Sequence, residues 1–325
     1  MRTKVFFMVA LALCLLAPAV QAEKWDMATP YPAQNFHTKN IMKFVSDIKG
    51  KTGGDIDITV HPAASLIKHP EIKNAVRKGN IQVGEFLLSR LSNENPVFEV
   101  DFVPFLAIGY DQARKLWKAS KPIIDKLLER QNLKVLYAVA WPSQGFYTKK
   151  KINTVEDFKG LKFRAQTETV EKLARIMGMV PTQIELPETP QAFSTGRIEA
   201  IISSPTTGAN MKIWDYVNYF YNVESCNPKN VVVINKKVWR KLDAKTQKIL
   251  LDASARAEDR GWKMSMAEAD AKIEIMRKNG LKIVNATGEL KKGLLKVGDK
   301  MIADWLKRAG ADGKAIMDAM KKMNK

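Results

Sequence analysis

Arg164 closes the apolar run Leu161–Phe163 and stands three residues before Thr167, whose side chain suits it to start a helix by accepting a backbone N–H bond. That is a junction where an arginine can do chemistry. In α/β sheets the carboxyl ends of strands border the ligand crevice, and helix amino termini there present free N–H donors. A guanidinium adds two parallel donors that match a carboxylate in shape and charge. The competing use of the same charge is an ion pair with Glu168 or Glu171.

Other strand ends carry polar and aromatic groups of the same kind. Trp141-Pro142-Ser143-Gln144-Gly145 follows the apolar run Leu133–Ala140, with Tyr147 just beyond it. Ser203-Ser204-Pro205 follows Ile198–Ile202, Tyr31 follows the first strand, and Gln166 follows Arg164. Trp141 and Trp214 serve equally well as packing residues. Polar groups at several strand ends in two domains together build a cleft. The candidate ligand-binding residues are therefore Arg164, Ser204, Trp141, Gln144, Tyr147, Gln166, Tyr31 and Trp214.

Other chemistries lack their parts. His37, His61 and His69 form no HExxH pair and have no zinc spacing to cysteine, so they read as surface or satisfied loop residues, and neither a metal nor a cofactor is expected. The sequence has no GxGxxG after a strand, no Walker loop and no GxSxG elbow. A Cys226 nucleophile needs a histidine partner, and all three histidines lie in the distant first segment; a small buried thiol fits better. No carboxylate pair sits in a distinctive context, which leaves a secreted enzyme acting on a carboxylate compound as a rival reading only.

The elements that must position these groups follow from periodicity. A strand at Trp25–Thr29, a helix with Ile41, Phe44, Val45 and Ile48 on one face, and the alternating strand Ile56–Val60 make one β-α-β unit. A helix at Pro70–Lys78 and a strand at Ile81–Phe86 come next. Phe98–Leu106 reads as a buried strand or crossing segment, and a helix capped by Asp111 runs to about Arg130. Thr154 caps a short turn. The strands Leu161–Phe163, Val180–Leu186 and Ile198–Ile202 alternate with helices from Thr167 and Pro190, an order that predicts a second, mainly parallel α/β unit. Strands at Val217–Val223 and Asn230–Asn235 precede a helix capped by Asp243 that continues to Lys278, roughly 50 Å at 1.5 Å per residue. That exceeds one compact domain, so the helix must cross both. Leu281–Val284 returns to strand, and the chain from Leu290 is helical with Trp305 as a buried anchor.

Residues 1–22 read as a cleaved export signal: Arg2 and Lys4, the apolar run Val5–Leu16, and small residues before Glu23. A lipoprotein at Cys14 is the rival, but Leu13 stands where such signals need a small residue. The remainder, roughly 300 residues, is too large for one ordinary core, so two domains are expected: 23–144 plus 233–275, and 145–232 plus 276–325. With Cys14 removed, Cys226 cannot form an internal disulfide. The formal charge of +19 falls to +17 without Arg2 and Lys4. Its lysines are scattered among acids over helical faces, which predicts a solvated surface that draws anions rather than a nucleic-acid site.

In this order and spacing, Asp157–Ala165 (DFKGLKFRA) and Gly196–Pro205 (GRIEAIISSP) resemble the solute-binding subunits of TRAP (tripartite ATP-independent periplasmic) transporters, the DctP family. Ala75–Glu85, Val100–Leu106 and Val231–Leu242 support the resemblance, which covers nearly the whole mature chain. It implies a two-domain α/β periplasmic-binding-protein fold, type II-like, with an interdomain ligand cleft and a long helix spanning both domains. The implied role is a periplasmic, monomeric binding protein that hands a small organic acid to small and large TRAP membrane subunits; service to a sensor or an ATP-driven importer is the alternative. The family arginine that binds the substrate carboxylate matches Arg164, and the polar residue before the second motif's proline matches Ser204. Tyr147 stands where many members have a second arginine, which implies a ligand with one carboxylate and a less charged, aromatic remainder.

Overall fold

A computed structural model describes residues 22–324; the expected export signal, apart from Ala22, lies outside the described residues. The chain builds two sheets. The first half supplies β1 (Glu23–Ala28), α1 (Phe36–Lys51), β2 (Ile56–His61), α2 (His69–Lys78), β3 (Val83–Leu87), α3 (Gly109–Glu129) and β4 (Leu133–Ala140). Then come β5 (Gly145–Thr148), β6 (Lys162–Ala165), α4 (Glu168–Ile176), β7 (Val180–Gln183), α5 (Thr189–Ser194), β8 (Ala200–Ser203), α6 (Pro205–Asn210) and β9 (Tyr219–Asn222). The last part holds β10 (Lys229–Asn235), α7 (Lys236–Lys241), α8 (Ala244–Lys278), β11 (Lys282–Asn285) and α9 (Gly288–Met323).

The first sheet has the order β2-β1-β3-β10-β4. The expected β-α-β unit is present: β1 and β2 run parallel from Glu23 opposite Ile56, and α1 buries Ile41, Phe44 and Ile48 against them. β4 is almost wholly apolar because it is covered on both faces, by α3 and by α8. The second sheet has the order β11-β9-β5-β8-β6-β7. β6 is parallel to β7 and β8, β11 is parallel to β9, and β5 alone runs antiparallel to its neighbours β8 and β9, so this sheet is mainly parallel, as expected, with one reversed strand.

The helix from Asp243 forms as its signals require. Asp243 accepts from the Thr246 N–H at its start, and Arg277 and Lys278 complement its carboxyl end before Asn279-Gly280. Near its middle, Trp262 Nε1 donates to the Ala138 carbonyl at 3.0 Å, and Asn40 donates to the Ala257 carbonyl at 2.9 Å. Gly261 lies so close to β4 that a Cβ there would sit 2.4 Å from Val139. Farther along, Met276 is buried in the second domain's core beside Tyr147. The helix thus packs on both domains.

Several expectations needed revision. Phe98–Leu106 is no strand: Asn95 caps and Pro96 begins a buried 3-10 helix over Pro96–Phe102, since an unbroken apolar run does not by itself distinguish helix from strand. Asp111 lies in the first turn of α3, not at its cap, which is Ile108. β5 is too short to show a period, and its Gly145 fits only because a Cβ would meet the Tyr221 carbonyl at 2.4 Å. β10 pairs within the first sheet from Lys229 onward. α9 breaks at Gly310, and its Trp305 is fully buried but donates to the Pro96 carbonyl, which ties this helix to the first half of the chain as well.

Where the chain crosses between the sheets, Lys229 and Asp101 form a buried pair, Nζ to Oδ2 at 3.5 Å, and the Lys229 N–H donates to the same oxygen at 2.8 Å. Burial pushes the Asp101 carboxyl up and the Lys229 ammonium down. Cys226 is buried next to this pair.

Candidate ligand-binding site

A cavity lies between the carboxyl ends of strands from the two sheets, where the sequence places it. Arg164 comes from β6, flanked by β7 and β8, and lies inside the strand, one position before its end at Ala165, rather than just past it as expected. Its side chain is only 4% exposed. Its Nε donates to the Ile184 carbonyl at 3.0 Å, which fixes the plane of the fork. No carboxylate among the described residues forms an ion pair with it; Glu171 pairs with Arg175 instead, at 2.7 Å. Burial pushes the guanidinium down to about 10, with Glu185 opposing the shift and Arg90 adding to it. A buried cation with its terminal nitrogens uncommitted, facing a cavity, is arranged to take an anion.

The opposite wall is aromatic and comes from the first domain. Tyr31 and Trp141 meet edge to face with ring centres 4.9 Å apart. Both donate to one acceptor, Asn230 Oδ1, at 3.3 Å from the Tyr31 hydroxyl and 3.0 Å from Trp141 Nε1. Asn230 in turn donates to the buried Glu85 at 2.9 Å, and Glu85 also pairs with His37 and accepts from Thr29. A polar network behind the wall therefore sets the angle of the two rings.

Ser204 borders the cavity from the second domain and caps α6 by accepting from the Thr207 N–H at 3.2 Å. Gln144 lines it with its amide donated to the Pro142 carbonyl, and Gln166 lines it with a buried Oε1 that has no partner. Of the sequence candidates, the cavity thus gathers Arg164, Ser204, Trp141, Gln144, Gln166 and Tyr31. It does not gather Tyr147 or Trp214. Tyr147 is fully buried among Ile184, Phe193, Phe220 and Met276, with its hydroxyl on the Ser204 carbonyl, and Trp214 packs against the same cluster. The inference drawn from Tyr147 about the ligand's remainder therefore loses its premise.

Three lining groups escaped sequence reasoning. Arg90 follows the end of β3, Glu185 follows the end of β7, and the strand-end rule that picked out Arg164 reaches both. They pair across the mouth of the cavity, Nη2 to Oε1 at 2.6 Å and Nη1 to Oε2 at 3.3 Å. Of the two expected readings of His69, surface or satisfied loop residue, the satisfied one fits, except that His69 opens α2 rather than sitting in a loop. It lines the cavity, and its Nε2 accepts the Leu87 N–H at 3.2 Å, which leaves the ring proton on Nδ1. Burial, reinforced by Arg90, pushes it down to about 3, so it is neutral near pH 7.

The sequence matches the family described as bacterial extracellular solute-binding protein, family 7 (DctP), over residues 27–308. The chain belongs to this family. The expectation carried by the DFKGLKFRA and GRIEAIISSP motifs is met, and so is the two-domain fold with its spanning helix. Among solved structures, this DctP-family chain is 46% identical to DctP6, a Bordetella pertussis extracytoplasmic solute receptor binding pyroglutamic acid, with a TM-score of 0.90 over 92% of this chain and 100% of that one. A marine metagenome TRAP solute-binding protein specific for pyroglutamate is 40% identical, with a TM-score of 0.90 over 93% of this chain and all of that one. The C4-dicarboxylate-binding periplasmic protein DctP of Rhodobacter capsulatus is 25% identical over 74% of each chain. The protein is a transport solute-binding protein of the TRAP type, and members of this family are not enzymes. No helix among the described residues is long and apolar enough to cross a membrane.

Proposed function

We propose that this protein captures pyroglutamate, a five-membered lactam with one carboxylate, in the periplasm and delivers it to the small and large membrane subunits of a TRAP transporter. The observation that carries the reading is the Arg164 guanidinium, 4% exposed, held through Nε and paired with no acid among the described residues. A ligand carboxylate supplies the missing charge. The flat, half-apolar ring fits against Tyr31 and Trp141, and its neutral amide needs hydrogen bonds rather than a second cation. Two relatives at 40% identity or more whose descriptions name pyroglutamate support the ligand class.

Ligand contacts from both domains exist only in the closed arrangement, so the ligand shifts the population toward it. That closed form is the one for membrane subunits to recognise. Calorimetry with pyroglutamate tests the reading. Arg164→Ala leaves a buried carboxylate unpaired, at a cost of roughly 3–5 kcal/mol, or about two to four decades of affinity. Near-wild-type affinity in this variant refutes the anchor. Pyroglutamate recovered chemically altered after incubation would instead point to an enzyme.

A further inference from the structure

The cavity holds two arginines, yet it is built for one negative charge. Arg90, from the first domain, is already engaged by Glu185, from the second, through both carboxylate oxygens. Arg90 is mostly buried at 14% side-chain exposure, so it has little water to turn to in place of its partner. Of the other titratable lining groups, His69 is held neutral by its burial and by its bond from the Leu87 N–H, and burial, reinforced by Glu85, pushes the Tyr31 hydroxyl up so that it keeps its proton. Glu85, behind Tyr31, is outside the wall and engaged by Thr29, Asn230 and His37. Two guanidinium charges and one carboxylate leave a single net positive charge facing the ligand.

We propose that Glu185 sets the charge of the cavity, and with it the choice of one carboxylate over two, by neutralising Arg90. The proposal rests on Arg164 as the carboxylate anchor and adds a residue that determines specificity. A second ligand carboxylate entering beside Arg90 finds that cation taken and meets the Glu185 charge. Like-charge juxtaposition and an unpaired buried acid both oppose it. A neutral lactam meets neither obstacle. Selection against diacids thus comes from an internal acid that occupies the second cation, not from the absence of that cation.

The test compares pyroglutamate with glutarate, a five-carbon diacid, by calorimetry on protein freed of co-purified ligand by unfolding and refolding. Wild-type protein is expected to prefer pyroglutamate. Glu185→Gln frees Arg90 and should shift the preference toward glutarate by about tenfold or more. Arg90→Gln leaves no net charge in the cavity and should weaken pyroglutamate binding. The double variant Arg90→Gln/Glu185→Gln returns the net charge to its starting value and should regain most of the original preference. If the pair acts only as a clasp between domains, both single variants weaken both acids alike and the double variant restores nothing; that result overturns the proposal. A wild-type protein that ignores pyroglutamate while Glu185→Gln still gains glutarate overturns the ligand assignment and leaves the charge rule standing. Melting temperatures of the variants show that each is folded.

Discussion

The Tyr147 hydroxyl donates to the backbone carbonyl of Ser204 at 3.0 Å, joining β5 to the first turn of α6. The ring is fully buried, and Gly208 lies against it so closely that a Cβ would come within 2.4 Å of the hydroxyl oxygen. Tyr147 therefore supports the cavity wall from behind. Its link to the cavity is through the position of Ser204, which lines it.

Tyr147→Phe follows from that relationship. The Ser204 carbonyl also receives the Gly208 N–H at 3.0 Å, so it is not orphaned by the change. The expected loss is about 0.5–1.5 kcal/mol of folding stability, measured by urea denaturation, with ligand affinity within a few-fold of wild type. A loss of affinity without a loss of stability would place the hydroxyl in contact with the ligand after all.

His69 gives a pH dependence of definite sign. Its folded value is pushed down to about 3, against an ordinary value near 6.5 for an exposed histidine. Between those limits the unfolded chain binds the extra proton and the folded one does not, so stability rises with pH through this window. The contribution is fully present above about pH 7 and is lost as the solution is acidified toward pH 3. Melting curves of wild type and His69→Gln, compared from pH 7 down to pH 4, should converge as the pH falls. Parallel curves would show that His69 takes up its proton equally in the folded and unfolded chains.

The buried pair at the crossing between sheets predicts an asymmetry. Lys229→Met strands the Asp101 carboxylate with backbone N–H groups but no cation beside it. The expected cost is about 3–5 kcal/mol. Adding Asp101→Asn removes the stranded charge and should recover a substantial part of that loss, again by chemical denaturation. Equal destabilisation in the single and double variants would show that the charge itself is not what matters.

What the sequence made legible was local. Asp243 and Asn279-Gly280 mark both ends of the 35-residue α8 because capping depends on immediate neighbours. The capping box of Thr154 and Asp157 and the cap at Thr167 are of the same kind. Arg164 could be found because strand ends and helix starts are themselves local. The Arg90–Glu185 pair joins residues 95 apart and exists only once two sheets face each other, so no periodicity encodes it. Tyr147 was misplaced for a related reason. β5 is four residues long, and nothing within it indicates which side of a mixed sheet its aromatic side chain will occupy.

The bond from Arg164 Nε to the Ile184 carbonyl bears on how long a captured molecule stays. A free arginine side chain loses up to about 2 kcal/mol of rotamer freedom when it is immobilised. Here folding has already imposed that order, on a strand with a hydrogen-bonded neighbour on either side. If Arg164 is the anchor proposed above, an incoming acid meets a fork with its orientation set, so little of the contact energy is spent on arranging it. Among related complexes, differences in affinity reside mostly in dissociation rates. Loosening this one backbone contact should therefore show itself first as a shorter residence time, before any change in how fast the acid arrives.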